Sequence, residues 1–305
     1  VAAPKAKAGK KRKLSPNLLT REKLLFNMEQ WRWMPGDLGQ FYVWVNIPEF
    51  MVRVVKDTRE IYNARVVVGR PSTPTPGFSD RMEYLIFHPF WNVPDSIKSN
   101  ELQPSLASGD YSVLNKQNLR VSFRGRDIEP GAVDWGRVDM RKYHIYQPPG
   151  AGNALGLVKF LFPNTHDVYL HDTPSKRLFH SQVRAFSHGC IRVQNPLKIA
   201  EMLLVEDQGW TAQRVARTVE QGARDNKVDL HSKFPVHLTY FTVWVEDDGR
   251  VHSFSDIYDH EHRVAYALAG KSHLIRREPD PPIAQAKPPQ RPAAASRKAD
   301  DWEGS

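Results

Sequence analysis

Apolar positions divide the chain into two strand-rich stretches separated by a long irregular one. The first ordered element reads as a helix: Leu18, Leu24, Leu25, Met28 and Trp31 fall near helical spacing, and Met34-Pro35-Gly36 ends the pattern. Its Leu and Trp face is expected to pack on the body, with a sugar site as the rival use of Trp31 and Trp33. Gln40 to Asn46 then alternates, and Phe50 to Val55 and Ile61 to Val68 flank a Lys-Asp-Thr-Arg turn, which predicts a hairpin. Arg70 to Ser79 is a Pro/Ser/Thr loop, and Met82 to Phe87 is a candidate strand broken at Phe90-Trp-Asn-Val-Pro94.

From Arg81 to about Pro149 the pattern is irregular, with few periodic apolar positions up to Asp139. A stretch of that length without structure is expected only of a lid or a disordered insert. Order returns with a β stretch from Ala154 to Phe162, a turn at Asn164 to Asp167, and a strand ending in His171. Asn195-Pro196 opens a helix bearing Leu197, Ala200, Leu203 and Leu204, and Thr211 to Gln221 is a second helix stopped by Gly222. Phe234 to Glu246 is a long β run that Asp247-Asp248-Gly249 turns into Val251 to Phe254. The whole predicts a mostly β, α+β core of two sheets or one curled sheet, decorated by about three helices.

Composition adjusts this picture only at the ends. The 305 residues carry a formal net charge of +9, much of it in a basic head over 1–14 that reads as a disordered linker. The ordered domain is expected over 15–270, and the Pro/Ala/Lys/Arg tail over 271–305 has little to bury. Nucleic acid is an unsupported partner because no binding motif or basic helix accompanies the charge. No apolar run of eighteen residues exists, so no transmembrane segment is expected. The chain opens on Val1 without an apolar leader core, so secretion is not readable from it.

Candidate chemistry centres on Val168 to Val193, which holds the single cysteine, Cys190, nineteen residues after His171. A thiol becomes a nucleophile as its thiolate, and an imidazole that takes the proton is the usual means. Ser187-His188-Gly189 is a permissive turn able to aim backbone N–H groups at an oxyanion. Tyr169, two residues before His171, shares its strand face, either to hydrogen-bond the reacting carbonyl or to pack. Against this stand a buried structural cysteine, and a zinc site drawn from His166, His171, His180, His188 and Cys190, although no metal-ligand spacing accompanies the latter. A serine hydrolase lacks its G-x-S-x-G elbow. A non-catalytic wall-binding module leaves the Ser-His-Gly-Cys turn without a purpose.

His171-Asp172-Thr173 followed by Ser187-His-Gly-Cys-Ile-Arg-Val193 resembles the signature of the L,D-transpeptidases, the YkuD-type catalytic domain that cross-links peptidoglycan. Phe186 and Asn195-Pro196 are similar to its larger Gram-negative members. Asp172 stands where many members have Gly, and His188 where some relatives have Ser. The resemblance implies a YkuD-like β-sandwich core with a capping insertion over about 88–150, in which Trp91 touches the substrate peptide or anchors the insert. It implies Cys190 as nucleophile, His171 as base, and Gly189, Tyr169, His188 and Ser187 as oxyanion or supporting residues, with Ser187 or His188 orienting His171. Arg192 is implied to bind a carboxylate or to form a structural ion pair. No cofactor or metal is implied. The partners would be donor and acceptor stem peptides in the periplasm or cell envelope, or an envelope protein as acceptor.

Overall fold

The structure is a computed structural model in which residues 19–246 and 248–275 are described. The basic head over 1–14, the tail beyond 275 and Asp247 of the second hairpin turn lie outside the described residues. The first strands are β1 (Phe41–Asn46), β2 (Met51–Lys56), β3 (Arg59–Gly69) and β4 (Phe78–Phe87). Asp57 and Thr58 join β2 to β3 with φ of 48° and 66°. Two positive φ values give the mirror-image turn whose twist matches that of the flanking strands. An insertion contributes β5 (Trp91–Asn92), β6 (Arg120–Phe123), β7 (Arg126–Asp127) and β8 (His144–Gln147). The rest are β9 (Val158–Leu161), β10 (Leu170–His171), β11 (Ala185–Ser187), β12 (Ile191–Val193), β13 (Asn226–Thr239), β14 (Val243–Val245) and β15 (Val251–Ser253).

Nine strands form one sheet in the order β11-β3-β12-β10-β9-β4-β13-β1-β2, and β2 pairs again with β3. The sheet therefore curls until its ends meet. Period-two alternation sends Val43, Val66, Leu85, Phe160, Ile191 and Val236 into one enclosed core. Helix α5 (Pro196–Gln208) adds Ile199, Ala200, Leu203 and Leu204 to that core and ends at Gly209, whose φ of 64° suits the left-handed cap. Helix α6 (Ala212–Gln221) follows, with Thr211 Oγ1 accepting the Arg214 N–H.

The irregular stretch is folded. Helices α2 (Asp95–Ile97), α3 (Gln103–Ala107) and α4 (Ser112–Lys116), with a π turn at Lys98–Leu102, pack on a four-stranded sheet ordered β5-β8-β6-β7. Leu102, Leu106, Leu114, Val121, Trp135 and Ile145 form its separate core. Its elements are two to five residues long, too short for a helical or alternating period to register in the sequence.

Two further expectations are corrected. The first helix, α1 (Arg21–Arg32), packs only part of its Leu and Trp face: Leu24, Leu25, Met28 and Trp33 are exposed, whereas the half-exposed Trp31 lies against Phe241 and Trp44, with ring centroids 4.7 and 5.7 Å away. The helix instead buries Phe26, Lys23 and Asn27. Asn27 Oδ1 accepts the N–H groups of Thr242 and Val243, and Lys23 pairs with Glu261. Specific polar bonds thus decide which face turns inward. The run from Phe234 to Glu246 is two strands, since β13 ends at Thr239 and β14 starts at Val243.

Candidate active site

Three adjacent strands assemble the site. β10 runs parallel to β12 with Leu170 opposite Ile191 and His171 opposite Arg192. On its other edge β10 is antiparallel to β9, with Leu170 opposite Phe160 and His171 opposite Lys159. Leu170, Ile191 and Phe160 face the core, so alternation turns Lys159, His171 and Arg192 to the opposite face. One residue earlier, Ile191 donates its N–H to the Tyr169 carbonyl, which sets Cys190 beside Tyr169. The Tyr169 and His171 rings share that face, with centroids 5.7 Å apart. Thiol, phenol, imidazole and guanidinium therefore meet on one patch of sheet.

The turn before Cys190 is held from within. Ser187 Oγ donates to the Cys190 carbonyl at 2.6 Å and accepts the Gly189 N–H at 3.1 Å. Gly189 adopts φ 118°, a value that L side chains rarely take. Its carbonyl accepts a 2.7 Å bond from Thr75 Oγ1, which itself accepts the Gly69 N–H at 2.8 Å. In a trans peptide, fixing the Gly189 carbonyl also fixes the Cys190 N–H, which points the other way. The N–H groups of His188 and Cys190 have no acceptor among the described residues, whereas the Gly189 N–H is taken by Ser187. The Gly189 N–H is thus spent inside the turn, whereas the His188 and Cys190 N–H groups are left unengaged.

His171 is oriented by its neighbour, not by Ser187 or His188. Its Nδ1 lies 2.5 Å from the Asp172 carbonyl, so Nδ1–H donates and Nε2 keeps its lone pair for a proton. Asp172 is fixed in turn, its carboxylate accepting the Leu157 N–H at 2.9 Å and pairing with Lys176. Gly156 lets this happen, because a Cβ there would lie 2.3 Å from the Asp172 carboxylate.

Residues 40–220 match the family model of the L,D-transpeptidase catalytic domain, YkuD. The chain belongs to the L,D-transpeptidase family. A Haemophilus influenzae (strain ATCC 51907 / DSM 11121 / KW20 / Rd) protein named "Putative L,D-transpeptidase" is 32% identical over 248 residues, which are 81% of this chain and 49% of that protein. The chain spans about half the length of this curated relative. Among solved structures, the L,D-transpeptidase from Mycobacterium smegmatis is 12% identical, with a TM-score of 0.31 over 66% of this chain and 58% of that one. The Enterococcus faecium catalytic domain is 13% identical, with a TM-score of 0.28 over 67% and 99%. Likenesses of that size carry no argument about the chemistry of the site.

Within this L,D-transpeptidase domain the His171 imidazole and the Cys190 thiol both rest neutral near pH 7. Burial, followed by the Arg192 and Lys159 cations, lowers His171 to about 3, against the pull of its bond to Asp172. Burial raises the Cys190 thiol to about 11, only partly offset by hydrogen bonds from the Tyr169 backbone and hydroxyl. The thiol donates a long 3.6 Å bond to the Asp167 carbonyl, and no direct bond joins it to His171. Catalytic hydrogen bonds are often loose in free enzymes and tighten on substrate.

The remaining candidates fall elsewhere. His188 is exposed and turns to the insertion, its Nε2 2.6 Å from Glu101 Oε1 and 2.8 Å from Arg70 Nη2. Trp91 packs against the insertion's core. Sequence reasoning missed Thr75, Glu101, Lys159 and the orienting Asp172 carbonyl. Thr75 lies in a loop whose Pro/Ser/Thr composition marks it only as a connection, and the other contacts depend on register and tertiary approach. Among the described residues no three His, Cys, Asp or Glu side chains cluster as metal ligands, and no helix is long and apolar enough to cross a membrane.

Proposed function

We propose that the chain is a peptidoglycan L,D-transpeptidase that works through a thioester on Cys190. The observation that carries this reading is the gathering of Cys190, Tyr169, His171 and Arg192 on one sheet face, inside the segment that matches the family. His171 Nε2 takes the thiol proton, and the thiolate attacks the carbonyl of the third residue of a tetrapeptide stem. The oxyanion is met by the Cys190 N–H and the Tyr169 hydroxyl, each such donor lowering the barrier by roughly 3 kcal/mol. His171 then protonates the departing D-Ala amine, leaving the acyl-enzyme. The side-chain amine of diaminopimelate on a second stem gives up a proton to His171, attacks the thioester and closes a 3-3 cross-link. Water in its place would yield the tripeptide. The insertion caps the cleft, joined to the catalytic turn through Glu101. Such a reaction belongs in the cell envelope, where the stems are.

Mass spectrometry of muropeptides tests this. Incubation with disaccharide-tetrapeptide containing diaminopimelate is expected to give a dimer one D-Ala lighter than two monomers, absent with Cys190→Ala. Tripeptide alone would make the enzyme a carboxypeptidase, and equal products with Cys190→Ala would remove the cysteine from the mechanism.

A further inference from the structure

Among the described residues the buried cations have partners, Arg184 through backbone carbonyls alone, whereas one half-buried pair has none. Arg53 is paired with Glu49 and Glu60, Lys98 with Asp95, and Lys23 with Glu261. Each is less than a tenth exposed. That pattern follows from cost, since removing a charge from water is expensive unless a partner and hydrogen bonds replace the solvent. Lys159 and Arg192 are half-buried, yet among the described residues neither makes an ion pair or a side-chain hydrogen bond. Arg192 Nε is fully enclosed without any acceptor. Asp225 reaches Lys159 only through its field.

The two cations occupy a defined place. In the strand register Lys159 is opposite His171 on β9 and Arg192 is opposite His171 on β12. Neighbouring strands are about 4.8 Å apart, so the two side chains flank the imidazole from either side. We propose that Lys159 and Arg192 together form a receptor for the free carboxylate of the residue that leaves, so that Lys159 is a donor-selecting residue of this site. The inference rests on Cys190 as the nucleophile and His171 as its base. His171 has to reach the amine that departs, and the terminal carboxylate is attached to the carbon next to that amine. A carboxylate delivered with the leaving residue therefore arrives between the two cations. A stem extended by one more residue has an amide at that position and brings no charge. Burial is the main reason His171 is held low, and occupation of the receptor neutralises the cations that add to it, which eases proton uptake by the imidazole.

Two haloacetyl probes test the receptor without requiring turnover. Cys190 is the single cysteine, so alkylation reports on it alone. Iodoacetate carries a carboxylate and iodoacetamide carries an amide of nearly the same shape. Their rate ratio is expected to fall by about tenfold in Lys159→Met, the worth of one charge-assisted hydrogen bond, and to recover in Lys159→Arg. Normalising to iodoacetamide removes general changes in thiol reactivity, and the Lys159→Arg variant separates lost charge from a damaged fold. An unchanged ratio in a folded Lys159→Met protein overturns the receptor.

The donor identifies which carboxylate is read. Wild-type protein is expected to prefer the tetrapeptide acid over the same stem ending in D-alaninamide by roughly 10- to 100-fold in kcat/KM, and Lys159→Met by less than tenfold. Equal use of both stems by wild type overturns the assignment to the leaving residue. Failure to use either stem overturns the transferase reading, while the alkylation ratio still decides whether the receptor exists.

Discussion

On one face of β9, β10 and β12 stand Val158, Phe160, Leu170, Ile191 and Val193, all at 0% exposure. On the other stand Lys159, Tyr169, His171 and Arg192, with Cys190 at the strand's edge. The backbone is common to both faces. Their side chains face opposite requirements, because the inner set gains by leaving water, whereas the outer set loses hydration and finds few partners. A strand can serve both because its period is two residues. The inner face holds the scaffold rigid enough that the outer face can remain incompletely satisfied, which is what a reactive site needs.

Substitutions on the two faces should therefore separate activity from stability. The largest effect belongs to the outer face: Cys190→Ala is expected to abolish turnover, and His171→Ala to lower it by roughly 10²- to 10⁴-fold. Thermal unfolding of the cysteine variant should stay close to wild type. Phe160→Ala reverses the pattern, costing about 3–5 kcal/mol of stability in denaturant melts while activity per folded molecule persists. Equal loss of activity and stability in both variants would dissolve the distinction between the faces.

Thr75→Val removes the support of the turn before Cys190 together with the acceptor of the buried Gly69 N–H. With the Gly189 carbonyl released, kcat is expected to fall by up to about 10²-fold with KM little changed, the signature of an interaction made in the transition state. A rise in KM at constant kcat would argue that Thr75 shapes substrate binding instead.

Protonation gives a graded test. With the thiol at about 11, alkylation of free protein by iodoacetamide is expected to climb with pH towards 11 and to show no inflection near 6 to 7. His171 is held below its ordinary 6.5, so below that pH the folded protein binds fewer protons than the unfolded chain. Stability from this group is thus present above about 6.5 and is lost as the pH falls towards 3, a loss that His171→Gln should reduce in acid denaturant melts. The smallest effect is expected at the insertion. Glu101→Gln breaks an exposed contact with His188 and should change stability by less than about 1 kcal/mol, while loosening the insertion to hydrogen exchange.

The legible part of the chain was the part whose logic is local. The hairpin at Asp57-Thr58 and the alternation that unites Tyr169 with His171 are properties of neighbours in sequence. So is the glycine turn before Cys190. The insertion's sparse apolar residues close a core only after very short elements have been brought together. Helix α1 misled because most of its apolar stripe is exposed, and it docks through Phe26, Trp31 and the polar bonds of Asn27 and Lys23. Lys159 and Thr75 were invisible for a third reason. Lys159 reaches the site through strand register, and Thr75 through a loop that folds back onto the Ser-His-Gly-Cys turn.

The central claim, that Cys190 holds the substrate as a thioester, is tested most directly by intact-protein mass spectrometry after incubation with disaccharide-tetrapeptide and no acceptor. A mass gain equal to the disaccharide-tetrapeptide minus D-Ala, mapped to the peptide containing Cys190 and removed by hydroxylamine, is the expected result. Product formation without any adduct on Cys190, continuing undiminished in Cys190→Ala, would contradict it.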